Sequence, residues 1–277
     1  MEYNMNRRDF LKAASAITTG GIVATTPACR WFDETPVTGS PIWTGHGQSL
    51  PVSGARLWLR ADLDVVKDSL NNVYLWKDQS GNEFHGSLNG PAYVSNILNG
   101  HPVIRFNGTI VPMTLNDNLL NLTELTIFIL SKASANSVIF NDYGNSPARF
   151  FYINTTAANT YSFIVRDTAN NAITATGTAN SSVFNVICGR LRGQTFDLYY
   201  NGTLDATNTN TLYDITTNWT GEATANTVNG VAVGSHDNPT LGLGLTGDIA
   251  ELIVYPSALI DSQRLMVESY LKSRYGL

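Results

Sequence analysis

Charge is scarce in this sequence: 14% of its 277 residues are Asp, Glu, Lys or Arg, and the formal net charge is −5. No basic block stands after residue 30, so the phosphate-neutralising surface that nucleic-acid binding needs is missing. Cysteine is nearly absent. Of the two copies, Cys188 lies in the apolar run 183–188 and reads as a small buried hydrophobe, while nothing in the spacing supports pairing it with Cys29. No stretch repeats itself, which sets solenoids and propellers aside. Catalytic signatures are missing too: there is no Gly-x-Ser-x-Gly elbow and no His-Glu-x-x-His pair. Gly242 and Gly244 superficially suggest a phosphate loop, but a strand follows them and no helix, so the physical reason for phosphate binding is lacking.

What is abundant is Asn, Thr, Ser and Gly, a composition that favours strands and turns over helices. With 43% hydrophobic residues the chain can bury a sizeable core in one all-β domain. The first residues stand apart. Asn6-Arg7-Arg8-Asp9-Phe10-Leu11-Lys12 resembles the bacterial twin-arginine export motif, and a weakly apolar run from Ala13 to Ala24, too short to span a membrane, follows it. Thr26-Pro27-Ala28-Cys29 looks like a degenerate lipoprotein box, so either Cys29 is lipidated and anchors the protein to a membrane, or the leader is cleaved near Ala28. The expected organisation is an export signal over 1–28, a Pro-containing linker over 29–53 and a sandwich domain over 54–277.

The stretch from Trp76 to Gly108 organises that domain. Val73, Leu75, Ile104 and Phe106 are spaced by two, which predicts two strands with one apolar face each, joined through a tight loop around Asp78, Ser80, Gly81 and Asn82. Further strands are predicted over 124–132, 137–141, 149–154, 161–166, 182–190, 195–200, 228–234 and 247–255, with Asn201-Gly202 as a hairpin turn. One helix is predicted, from about Asp261, able to cap it, to Tyr275, with Gly276 just past its end. Val267, Tyr270, Leu271 and Tyr275 supply its docking face.

Three segments resemble a known family. Leu57-Trp58-Leu59-Arg60-Ala61-Asp62 with Trp76-Lys77-Asp78-Gln79-Ser80-Gly81-Asn82, then His101-Pro102-Val103-Ile104-Arg105-Phe106, then Gly247-Asp248-Ile249-Ala250-Glu251-Leu252-Ile253-Val254-Tyr255 with the helix after it, are similar to concanavalin A-like lectin/glucanase domains of the laminin-G-like branch. Ile260 departs from the family's capping Ser or Thr. The resemblance implies a jelly-roll of two antiparallel sheets with one short C-terminal helix. It implies function only loosely, because the fold hosts lectins, glycosidases, adhesion modules and plain structural domains.

A sandwich glycosidase needs two carboxylates flanking one bond. The family's glucanase string, Glu-x-Asp-x-Glu, does not occur here. Asp248 and Glu251 are three apart on a strand, so alternation predicts opposite faces, and Asp62 with Asp64 reads as an acid-rich strand end. Calcium, which laminin-G-like domains often hold at a loop rim, wants six to eight oxygens. Asp78, Asn82 and Asp248 are the candidate ligands, the alternative being that Asp78 and Asn82 only brace their turn. For sugar binding, Trp58 and Trp76 read as core, whereas Trp219 lies in a polar loop, either as a stacking platform or as a plug under that loop. Tyr213, His236, Asp237 and Asn238 are candidates for the same rim, and Tyr143 is a second aromatic candidate. Together these readings predict an exported, non-catalytic carbohydrate-binding or adhesion module whose partner is a glycan. The alternatives are a module binding an envelope protein, and a glycosidase with acids gathered from separate strands.

Overall fold

The structure is a computed structural model that describes residues 49–87, 90–108, 113–115, 124–143, 150–166, 172–209, 230–235 and 244–277. Within them the strands form two antiparallel sheets. In spatial order, the first sheet contains β15 (Thr203–Thr209), β14 (Thr195–Tyr200), β13 (Asn185–Arg192), β8 (Leu125–Ala133), β17 (Thr246–Tyr255), β6 (His101–Asn107) and β5 (Ala92–Leu98). The strand β1 (Leu57–Arg60) also pairs with β17. The second sheet runs β12 (Ala172–Asn180), β11 (Thr160–Arg166), β10 (Phe150–Thr155), β9 (Val138–Tyr143), β16 (Gly230–Val233), β7 (Met113–Leu115), β4 (Gly86–Ser87), β3 (Val73–Trp76) and β2 (Val65–Lys67). The helix α1 (Asp261–Tyr275) follows β17.

Two apolar layers result, and the first sheet lies between them. Ile104, Ile127, Ile129, Leu252 and Val254 from the first sheet meet Phe140, Phe151, Phe163 and Val231 from the second to make the sandwich core, in which Trp76 is fully buried. On the other face of the first sheet, Val103, Phe128, Leu130, Val186, Cys188 and Ile253 pack under Val267, Leu271 and Tyr275 of α1, and Trp58 joins them. That explains why β8 is buried along almost its whole length while β12, covered on one face, alternates buried and exposed. Cys188 is a buried free thiol. One flank of the sandwich is stitched by Asp205 of β15, whose carboxylate accepts from the Thr178 N–H at 2.8 Å, the Thr178 hydroxyl at 2.8 Å and the Ala179 N–H at 3.2 Å on β12.

Local details follow the sequence with some exceptions. Asn201 and Gly202 both sit at positive φ, 47° and 96°, and turn β14 into β15, as a two-residue hairpin requires. α1 has the expected span, and the face of Val267, Tyr270, Leu271 and Tyr275 is the buried one. Its N-cap, however, is Ile260 and not Asp261. Ile260 offers no side-chain acceptor, and only the reciprocal contact from its N–H to Gln263 Oε1, at 3.4 Å, is present. Gly276, left-handed at φ 67°, closes the other end. The predicted face of Val73 and Leu75 is broken by a bulge opposite β2, so Val73 and Trp76 share the core instead. β3 and β6 belong to different sheets, with β4 and β5 between them in the chain. Within the stretch expected to be linker, Val52 is buried against Trp58 and its carbonyl accepts from the Tyr255 hydroxyl at 2.8 Å.

Candidate functional site

One edge of β17 is shared by two strands. Thr246–Ile249 pair with β6, and Glu251–Val254 pair with β1. Against β8, on its other edge, the register shifts between Ile249 and Glu251, leaving Ala250 as a bulged residue. This overturns one expectation: the extra residue cancels the alternation, so Asp248 and Glu251 point to the same face, the one that α1 covers in part. Asp248 pairs in register with Arg105 and Lys132, and Glu251 with Leu130, all on that face.

The two carboxylates meet different surroundings. Glu251 is fully buried beneath α1, where Oε1 accepts from Trp58 Nε1 at 2.6 Å and from the Tyr270 hydroxyl at 3.0 Å, and Oε2 accepts from the Tyr275 hydroxyl at 2.9 Å. Burial pushes its pKa up, against the Trp58 hydrogen bond and the charges of Arg274 and Arg60. Asp248 sits at the open end of the strand. Arg105 grips it with Nε at 2.7 Å and a second nitrogen at 2.9 Å, and Lys132 Nζ stands 3.6 Å from Oδ2. The Asp248 side chain is 1% exposed, while those of Arg105 and Lys132 are 43% and 39% exposed. The Asp248 hydrogen bond raises the Arg105 pKa against desolvation, with the Asp248 charge adding to the rise.

These three side chains line an open cleft of about 390 Å³, walled also by Phe106, Ser134, Ser182, Thr246 and Gly247. Gly247 is there for space: a Cβ would stand 2.3 Å from the Lys132 carbonyl, so only glycine lets β17 lie this close to β8. Gly234, at φ 81°, likewise leaves room for the Phe106 ring. Lys132 also lies 5.2 Å from the centre of the Phe184 ring. Sequence reasoning missed Arg105 and Lys132. The available signal was that charged residues are scarce and these two stand inside otherwise apolar strands.

The predicted site residues are distributed as follows. Asp78 and Asn82 are brought together around Ser80. The Asp78 carboxylate accepts from the Trp58 and Ser80 N–H groups at 2.9 Å each, from the Ser80 hydroxyl at 2.7 Å and from the Phe84 N–H at 3.1 Å, while the Asn82 amide donates to Arg56 O at 2.9 Å. Four donors occupy this carboxylate as a brace between β1 and its loop. Asp248 takes no part in that network. Among the described residues no group of three His, Cys, Asp or Glu side chains converges as a metal site would. Tyr143 ends β9, its backbone opposite Phe150 and Gly230, and its side chain lies outside the described residues. Tyr213, Trp219, His236, Asp237, Asn238 and Cys29 also lie outside them. By connectivity, the segment with Tyr213 and Trp219 enters β16 at Gly230, and the segment with His236, Asp237 and Asn238 leaves beyond Val233. Ser235 and Gly244 form an isolated antiparallel bridge.

Of the remaining described acids, those most enclosed are committed to structure. Asp62 binds Arg60 and Arg274, Asp197 binds Arg190, and Glu268 binds Arg264. A half-buried row on the second sheet's outer face, Thr174, Ile164 and Tyr152 in register, carries one aromatic and no acid.

Two stacked antiparallel sheets are the double-sheet arrangement of jelly-roll domains, lectins among them. The chain belongs to the concanavalin A-like lectin/glucanases superfamily: that superfamily's laminin-G model matches residues 112–263. No curated protein matches the sequence. Among solved structures, domain 4 of AbnA, an extracellular arabinanase of Geobacillus stearothermophilus in complex with arabinotriose, is similar with a TM-score of 0.55 at 14% identity, over 78% of this chain and 98% of that one. The receptor binding domain of botulinum neurotoxin C/D mosaic serotype is similar with a TM-score of 0.56 at 12% identity, over 78% of this chain and 51% of that one. This chain therefore spans about half of the toxin domain. A carbohydrate-binding module of a Ruminococcus gnavus sialidase, bound to α2,3-sialyllactose, is similar with a TM-score of 0.47 at 20% identity, over 59% of this chain and 94% of that one. At these identities the likeness is one of fold.

Proposed function

We propose that the protein is an exported, non-catalytic carbohydrate-binding or adhesion module of the cell surface or periplasm. The observation that carries the reading is the rim cleft, where Arg105, Asp248 and Lys132 present planar or multidentate polar groups beside three hydroxyl side chains in a hollow of sugar size. On this reading Trp219 would serve as a stacking surface, with Tyr213 or Tyr143, and His236, Asp237 and Asn238 as hydroxyl partners. The committed state of the enclosed acids supports binding over hydrolysis, since neither of the two carboxylates on β17 is released to act as acid or base. Export rests on Arg7 and Arg8, and membrane attachment would rest on Cys29.

The test is a glycan array followed by calorimetry on wild type and Trp219→Ala, each with calcium and with a chelator. Binding that weakens at least tenfold in Trp219→Ala is the expected result; no binding across neutral and acidic glycans sinks the reading. Loss of binding on chelation alone would bring calcium into the mechanism. A second reading, a module docking on an envelope protein, draws on exposed Leu204, Ile260 and Leu265.

A further inference from the structure

The charges in the cleft do not cancel. Asp248 is a single, buried carboxylate set against two cations, in a chain whose overall charge is −5, so the excess positive charge here is local and against the trend of the molecule. Arg105 spends Nε and one terminal nitrogen on Asp248, leaving its other terminal nitrogen with no hydrogen-bond partner among the described residues. Lys132 Nζ, at 3.6 Å from Oδ2, makes a charge contact and no hydrogen bond, so its three donors are also uncommitted there. Ser134, Ser182 and Thr246 line the same hollow, and their hydroxyls make no hydrogen bond within the described residues. Every uncommitted charge-bearing group is thus a donor. A metal ion would be repelled by the two cations that hold Asp248, and a neutral sugar would leave their excess charge unanswered.

We propose that this cleft takes the anionic group of an acidic sugar, a uronate carboxylate or a sulfate ester, which Arg105 and Lys132 share while the hydroxyls take the flanking sugar oxygens. The proposal rests on the carbohydrate-binding reading above. Asp248 then acts as the positioning residue: its grip on Nε fixes the guanidinium plane so that the remaining edge faces the cleft. Gly247 holds the floor, because any side chain there would drive β17 from β8 and separate Asp248 from Lys132.

Calorimetric titration with three soluble probes tests this: a galacturonic acid trimer, the same trimer as its methyl ester, and a sulfated neutral trimer. Lys132→Gln, whose side chain is half-exposed, is the principal variant. Arg105→Gln is the stronger one, read beside its thermal unfolding because it leaves Asp248 buried with one partner. The expected result is an acid form or a sulfated form bound at least tenfold more tightly than the ester, weakened about tenfold by Lys132→Gln and weakened by added salt. Tight binding of one anionic probe alone supports the proposal and identifies the anion. Equal binding of acid and ester, or binding unchanged in Lys132→Gln, overturns it and leaves carbohydrate binding standing. No binding of any probe, joined to a blank neutral and acidic array, removes both.

Discussion

Asp248 and Glu251 stand on the same strand and the same face, three residues apart across the bulge, yet the molecule treats them in opposite ways. Glu251 lies under α1 with three neutral donors on its oxygens and its nearest cation, Arg274 Nε, 3.7 Å away. Asp248 lies where the helix no longer covers the sheet, gripped by cations that remain in reach of solvent. The covered half of β17 is an anchor for the helix, and the open half walls the cleft. A residue's type and register therefore say less about its task than what lies on top of it. Here a single helix draws that boundary.

Removing the anchor should have the largest effect. Glu251→Ala strands Trp58 Nε1 and two tyrosine hydroxyls in the second core, and a cost of about 3–5 kcal/mol is expected in urea unfolding. A cost under about 1 kcal/mol would show that the helix does not depend on it. The pH dependence distinguishes the halves next. Because burial raises the Glu251 pKa in the folded state, the folded protein takes up that proton more readily than the unfolded chain, and stability falls as the pH rises from the ordinary carboxylate range through the folded value. Glu251→Gln should make this decline shallower in unfolding midpoints measured from pH 4 to 8. A slope identical to wild type would place the cause elsewhere. Asp62 works in the other sense: burial opposes its ionisation, but the Arg60 hydrogen bond and the Arg274 charge outweigh that and hold it low. Its contribution is present above the ordinary Asp range and is lost as the pH falls through its folded value.

Asp248→Asn should cost less than Glu251→Ala, about 1 kcal/mol, because Arg105 and Lys132 are exposed enough to hydrate when their partner loses its charge. Equal costs for the two would erase the distinction drawn between the ends of β17. The smallest change is a gain. Ile260 holds N-cap geometry at φ −65° and ψ 159° with a side chain that cannot cap and is 62% exposed, so Ile260→Ser should stabilise α1 by about 0.5–1 kcal/mol in the same unfolding measurement.

Much of the fold was legible because its signals are local and redundant: alternation on long strands, Asn201-Gly202 at a turn, an apolar helical face ending on Gly276. What was not legible depends on single extra residues or on cover from afar. The bulge at Ala250 reverses the facing of Asp248 relative to Glu251, and the bulge opposite β2 takes Leu75 off the face expected for it beside Val73, while Trp76 is core as its sequence setting indicates. β12 carries no legible signal because its buried positions are Ile173, Ala175, Gly177 and Ala179, mostly too small to register as an apolar strand. At the site, Asp248 could be picked out, but its cationic partners come from β6 and β8, and only the pairing of those strands reveals them. The candidates in polar loops, Trp219 foremost, carry no pattern from which a position could be derived.

The sealed thiol of Cys188 gives this molecule a built-in clock. Its side chain lies wholly inside the second core, and burial pushes its pKa well up, so a maleimide or a disulfide reagent has nothing to attack until the sheet and helix part. In a Cys29→Ser background, the rate at which that sulfur becomes modified would time the opening of the helix-covered layer with no reporter residue engineered into it.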